Sequence, residues 1–301
     1  MRARAAGLLL GYAADRLLGD PRRFHPVAGF GTVAGALERR LYADSRPRGV
    51  VHAAVLVGGA VTLGAMAERR SVVVTALATW AVLGGRSLER EALAVHAHLA
   101  AGDLLAARER LTHLVGRDTS ELDECEVARA VVESVAENTS DAVVAPLLWG
   151  AVAGVPGLLG YRAANTLDAM VGHHNDRYER YGWASARLDD LVNLPASRLS
   201  AALALAVSPG RASEGWRAWR RDAAAHPSPN AGVVEAAFAG VLGVRLGGVN
   251  RYYGDRVEHR ALIGAGRAVR PEDVARATSL ARRVGTAAAV TTAVLALRSR
   301  R

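Results

Sequence analysis

The chain has 301 residues, a net charge of +9, half of its residues apolar and only 5% aromatic. It has no lysine, so all 38 basic residues are arginine; a Schiff-base lysine and a Walker-type lysine are excluded, and any phosphate must be held by arginine, backbone N–H groups or a metal. Its one cysteine, Cys125, excludes an intramolecular disulfide and a zinc cluster of thiolates, and no arginine stretch interleaves with aromatics as a nucleic-acid reader requires.

In chain order, residues 5–18 form a first apolar segment behind Arg2 and Arg4, read as an uncleaved helix. Asp15 to Pro26 is a helix-end loop with an Asp20-Pro21 turn signal and an extended His25-Pro26. Residues 50–67, about long enough to span a bilayer, and 71–85 are charge-free runs that read as a helical hairpin, either fully spanning or partly re-entrant. Leu88 to Val115 repeats apolar residues at helical spacing with charges opposite, an amphipathic helix pair turning at Gly102-Asp103. A third uncharged run, 142–161, carries Pro146 and Pro156, so a kink or two half-helices is expected. The run 199–207 is shorter. Arg211 to Arg260 is polar, rich in Gly and Pro, and reads as mostly loop. Arg270-Pro271-Glu272-Asp273 looks like a helix start leading to a last run at 284–297. Apolar runs rich in Ala, Val, Leu and Gly suit close helix packing in lipid. The expected fold is therefore all-α: a single multi-pass transmembrane bundle over 1–301 with amphipathic and loop-rich cytoplasmic segments.

The polar residues concentrate between Glu133 and Asp190. Arg129, Glu133, Glu137 and Asp141 follow one another at four-residue spacing and share a helix face. A solvated, salt-bridged face is one reading; carboxylates pointing toward membrane depth are the other, and such groups are usually functional. Arg162, Asn165 and Asp168 share a second face, and carboxylate plus amide oxygens are what a hard cation such as Mg²⁺ takes. A polar loop follows at Gly172 to Tyr178, with His173 and His174 adjacent but no third zinc ligand at helical spacing. Arg187, Asp189 and Asp190 then precede another apolar run. Glycines at 243, 247, 248 and 254 could expose backbone N–H groups to an anion, without a Walker or dinucleotide spacing.

These stretches resemble a known family. G-D-P-R-R-F-H-P at 19–26, L-V-G-R-D-T at 114–119 and V-E-S-V-A-E-N-T-S-D at 132–141 are followed by Y-R-A-A-N-T-L-D-A-M-V-G at 161–172 and G-W-A-S-A-R-L-D-D at 182–190. H-P-S-P-N-A-G at 226–232 and L-G-G-V-N at 246–250 complete the series. In this order they resemble the adenosylcobinamide-phosphate synthases of cobalamin biosynthesis, the CobD/CbiB family, from about Asp15 to about Arg260. The His173-His174 pair departs from the family pattern, which has an aromatic and often a basic residue there.

The resemblance implies a multi-pass protein of the cytoplasmic membrane that uses ATP and Mg²⁺ to join adenosylcobyric acid to (R)-1-amino-2-propanol O-2-phosphate, or to the free amino alcohol, and leaves room for association with other cobalamin-assembly enzymes. On that reading Glu137, Asp141 and Asp168 are the expected metal ligands, supported by Glu133, Asn138 and Asn165. Arg117, Arg162 and Arg187 are candidate clamps for phosphate or propionate. Asp189, Asp190 or His173 would take the amine proton, a choice left open. Asp20 and His25 are expected in the same site, and the glycine-rich region with Asn230 and Asn250 would hold nucleotide or corrinoid. Two rivals are weighed. An intramembrane prenyltransferase needs two D-x-x-x-D motifs that the sequence lacks; a non-catalytic membrane sensor should have lost carboxylates that are all present.

Overall fold

The structure, a computed structural model, describes residues 1–20, 25–68, 71–173, 175–252 and 256–298. His174 and the residues at 21–24, both within motifs noted above, lie outside the described residues. The helices in order are α1 (Arg2–Leu18), α2 (Pro26–Leu41), α3 (Arg46–Ala67), α4 (Val72–Val82), α5 (Gly85–Ala100), α6 (Leu104–Leu111), α7 (Glu124–Thr139), α8 (Ala145–Val171), α9 (Trp183–Ala206), α10 (Ala212–Asp222), α11 (Ala231–Leu242) and α12 (Glu272–Arg298). Between α11 and α12 lie β1 (Val244–Tyr252), β2 (Arg256–Ile263) and β3 (Arg267–Ala268), in the order β2-β1-β3.

By length and apolar composition, Arg46–Ala67, Val72–Ala100, Glu124–Val171 and Glu272–Arg298 can each cross a bilayer. The pair Trp183–Ala206 and Pro209–Ala225, bent by 102°, makes a fifth if it is one broken span. The protein is a helical, multi-pass membrane protein. Exposed Val33, Val55, Leu63, Met66, Val73 and Leu77 fit that setting, because lipid does not penalise an apolar outer face.

Contacts divide the chain into two compact units: residues 1–84, 141–195 and 288–301 form one, and residues 85–140 and 196–287 the other. In the first, α1 packs along α4 and α3 along α8. Gly7 and Gly11, one turn apart, allow the first contact; a Cβ at either would run into Thr75 or Thr79 of α4. The α8 segment is two helical stretches that meet at a kink, as its prolines predict. Its break is at Gly154, with φ 69° and ψ −147°, two residues before Pro156. Proline removes a donor from the turn, and Arg4 of α1 supplies a replacement: its Nη1 donates to Ala151 O and Val152 O, both at 3.3 Å. Glu68 holds the other end of that guanidinium at 2.9 Å.

In the second unit α5 and α6 form the expected pair, with Gly102 at φ 73° and Asp103 capping Ala106 N–H at 3.0 Å. The α7 helix starts on an Asp123/Glu126 capping box. It runs on through a π-helical turn at Ser140–Val144, so the four-residue stripe holds from Arg129 to Glu137 while Asp141 sits in the π turn.

The region 211–260 is not mostly loop. It contains α10, α11 and the two long strands. Averaging over its Gly and Pro content hid a short helix, A-G-V-V-E-A-A-F-A-G-V-L, that starts just after Pro229 and closes on Gly243 at φ 72°. All twelve of its residues are buried. The strands β1 and β2 pair antiparallel with an irregularity between Leu246 and Gly248. In the first unit, Arg187, Asp189 and Asp190 lie on α9, which continues into the apolar run that follows them.

Candidate functional site

In the first unit the polar residues meet around Asn165. Its Nδ2 donates to Asp189 Oδ1 at 3.3 Å and to Asp141 Oδ2 at 3.5 Å, while its Oδ1 accepts from Arg162 Nη1 at 3.5 Å. Asp189 is buried, and its second oxygen accepts from Asn193 Nδ2 at 3.0 Å. Tyr161 closes the chain by donating its hydroxyl to Asn193 Oδ1 at 2.9 Å. Helix spacing explains the set: Tyr161, Arg162 and Asn165 lie within one turn of α8, and Asp189 and Asn193 are i and i+4 on α9. Asp20 and Asp141 both act electrostatically on Arg162. His25 Nε2 stands 4.0 Å from Asp20 Oδ2, and its Nδ1 caps α2 by accepting from Val27 N–H at 3.2 Å. Beside the cluster, Arg162 and Thr166 border an apolar cavity of about 340 Å³ between α2, α3, α4 and α8.

The other residues expected here stand at its margins. Arg187 is exposed and pairs with Asp190 at 3.8 Å. Asp168 is on the last turn of α8 and lies against Gly172. His173 is exposed in the loop after α8, its ring 6.4 Å from Tyr178. That loop is anchored at α2, where Glu38 accepts from Arg177 Nη2 at 3.0 Å and from Tyr178 Oη at 2.9 Å. Asn193 and Tyr161 are additions to the expected set. The i+4 spacing of Asp189 and Asn193 was the available signal for one; a tyrosine inside an apolar run gave none for the other.

The second unit holds a separate cluster centred on Glu133. One oxygen accepts from Arg129 Nη1 at 3.1 Å and from Gly247 N–H at 2.9 Å; the other accepts from Arg117 Nη2 at 3.0 Å. The Arg129–Glu133 pair is therefore a buried hub and not a solvated face. Gly247, at φ 81°, turns its N–H onto the carboxylate at the β1 irregularity. Asn250 Oδ1 accepts from both Arg117 and Arg129. These groups line a polar cavity of about 130 Å³ together with Ser134, Glu137, Glu235 and Arg260.

Glu235 was not singled out in the sequence because it sits in a wholly apolar helix; that burial makes it informative. Burial, then the nearby charges of Glu133 and Glu137, hold its carboxyl well above the usual carboxylate range. His226, whose Nε2 is 3.6 Å from Glu235, is pushed down by burial and by Arg260. Asn138 donates to Ser134 O at 2.9 Å. Asn230 is a joint between α9 and α11, its oxygen accepting from Ser197 Oγ at 2.9 Å and Arg198 Nη1 at 3.0 Å.

Among the described residues no three His, Cys, Asp or Glu side chains are gathered around a common point as a metal cage. Mg²⁺ does not need one: it keeps several waters and binds through one or two carboxylates plus substrate phosphates. The donor set of carboxylates and amides in both clusters fits that chemistry.

Residues 8–281 match the family described as CobD/Cbib protein. The chain is 50% identical over 307 aligned positions to the cobalamin biosynthesis protein CobD of Mycobacterium tuberculosis, covering 99% of this chain and 98% of that protein. It is 47% identical to the protein of that name in Chromobacterium violaceum, covering 89% of each. It is 44% identical to that of Rhodobacter capsulatus, covering 93% of each. No solved structure matches the chain. By this near full-length likeness the chain belongs to the CobD/CbiB family of cobalamin biosynthesis.

Proposed function

We propose that this protein is the acid–amine ligase of the pathway, joining adenosylcobyric acid to 1-amino-2-propanol O-2-phosphate at the expense of ATP, in the cytoplasmic membrane. The observation that carries the reading is the set of motif residues Arg117, Glu133, Asp141, Asn165, Asp189 and Asn250. They are held in hydrogen-bonded, largely buried clusters inside a chain otherwise built of Ala, Val and Leu. Buried polar networks of this kind are costly to keep unless they do chemistry.

A carboxylate does not condense with an amine in neutral water, so it must first be activated. A propionate oxygen attacks the γ-phosphorus of ATP, the bond to ADP breaks, and an acyl phosphate forms. The amine nitrogen then attacks the acyl carbon, the C–N bond forms, the C–O bond to phosphate breaks, and phosphate leaves. Bound Mg²⁺ would supply charge neutralisation at the phosphate oxygens, with Asp141 and Asp168 the candidate ligands in the first unit and Glu137 the candidate in the second. Arg162 in the first unit's cluster and Arg117 in the second's are candidate clamps for phosphate or propionate in a chain without lysine. Asp189, held by two amides that leave it acceptor capacity, is a candidate base in the first unit's cluster. Asp190, half-buried and paired with Arg187, and the exposed His173 are the alternatives.

The test is product formation by detergent-solubilised protein with adenosylcobyric acid, ATP, Mg²⁺ and each amino alcohol. Glu137→Ala and Asp168→Ala should insert in membranes normally yet lose product by about two orders of magnitude or more. Near-normal turnover in both would remove the metal assignment, and no corrinoid amide from wild-type protein would remove the function.

A further inference from the structure

The second unit's cavity contains two unused donors. Arg117 is 5% exposed and Asn250 1% exposed, and both line the cavity. Arg117 spends its two terminal nitrogens on Asn250 and Glu133, while its Nε has no partner. Asn250 Oδ1 is fixed by two guanidinium donors, so its amide orientation is determined, and its Nδ2 has no partner either. Buried unpaired donors are costly and call for an acceptor. The same cavity carries Glu137 and Glu235.

We propose that this cavity is the binding site for the small substrate, a molecule carrying both a phosphate and an ammonium group: Arg117 Nε and Asn250 Nδ2 donate to the phosphate, and Glu235, flanked by Glu137, accepts from the ammonium. The assignment rests on the ligase reading for the identity of that substrate. Size supports it. About 130 Å³ is room for roughly four waters at ~30 Å³ each, the scale of an amino-alcohol phosphate and well below that of a nucleotide or a corrin ring. Charge supports it as well. Glu133 is compensated by Arg117, Arg129 and Gly247 N–H, so the phosphate meets donors and not a bare carboxylate. Beyond the compensated Glu133, the cavity lining carries Glu137 and Glu235 as carboxylates and Arg117 and Arg260 as cations, so it offers acceptors to an ammonium as well as donors to a phosphate.

The experiment is isothermal titration of the full-length protein in detergent, without ATP or corrinoid, using three probes: 1-amino-2-propanol O-2-phosphate, free 1-amino-2-propanol and inorganic phosphate. The amino-alcohol phosphate should bind tightest. Asn250→Asp keeps the oxygen that Arg117 and Arg129 need and replaces the free donor by a negative charge. It should weaken the two phosphate-bearing probes about tenfold or more and should not weaken the free amino alcohol. Glu235→Gln should do the converse. If Asn250→Asp does not fold, Arg117→Lys, which removes the Nε donor and keeps the charge, takes its place. Equal binding of the phosphate probes to wild type and the donor variant overturns the assignment, as does wild-type binding of inorganic phosphate tighter than the amino-alcohol phosphate. Normal probe binding by a protein that makes no corrinoid amide would instead remove the ligase reading and leave the site.

Discussion

Replacing Glu133 by glutamine tests whether the second unit is organised around a buried charge. Glu133 is 6% exposed and meets three donors: Arg117 at 3.0 Å, Arg129 at 3.1 Å and Gly247 N–H at 2.9 Å. Glutamine has one acceptor oxygen, and its NH₂ would face either Arg117 or the Arg129/Gly247 pair. Removing one partner of a buried ion pair costs about 3–5 kcal/mol. Both guanidiniums keep other acceptors, Arg129 in Gly247 O at 2.8 Å and Val249 O at 3.1 Å, and Arg117 in Asn250, which places the loss near 3 kcal/mol. At about 2–4 °C per kcal/mol, Glu133→Gln should melt roughly 6–12 °C below wild type in detergent. Glu137→Gln, at an exposed position of the same helix, should stay within about 2 °C. A Glu133→Gln protein melting with the wild type would refute the hub.

Two further outcomes follow from the described contacts. Arg4→Ala removes the donors to Ala151 O and Val152 O and the partner of Glu68, so amide exchange around the α8 kink should speed up by an amount equivalent to about 1–2 kcal/mol; unchanged protection there would contradict the clasp. His226 is held below its usual 6.5 by burial and by Arg260, so the unfolded chain binds its proton first. Its contribution to stability is present above pH 6.5 and is lost as pH falls below that value toward the folded pKa. The stability gap between wild type and His226→Gln should therefore shrink as pH is lowered through that window, and a gap that is flat or widens would reverse the assignment.

The helical membrane architecture was legible because it depends on uncharged run length and on Ala, Val, Leu and Gly composition, which the sequence displays directly. The amphipathic pair at 85–111 and the acidic start of α12 were legible for the same kind of reason: local periodicity and capping chemistry. The α10–β2 region was not. Its glycines and prolines punctuate short elements, and composition alone reads them as loop. At the site, Arg129, Glu133 and Glu137 followed from four-residue spacing. The π turn at Ser140–Val144 then breaks that spacing, and Asp141 meets Asn165 in the first unit instead of extending the stripe. Glu235 and Tyr161 were hidden by apolar surroundings, since their importance comes from tertiary neighbours that no local pattern encodes.

The most direct measurement of the ligase account is a single-turnover reaction with adenosylcobyric acid whose free carboxylate carries oxygen-18, followed by mass analysis of the corrinoid and of the released phosphate. The account predicts adenosylcobinamide phosphate together with one labelled oxygen in inorganic phosphate, both dependent on ATP. Amide formed without ATP, label appearing in AMP, or unchanged acid beside consumed ATP would contradict it.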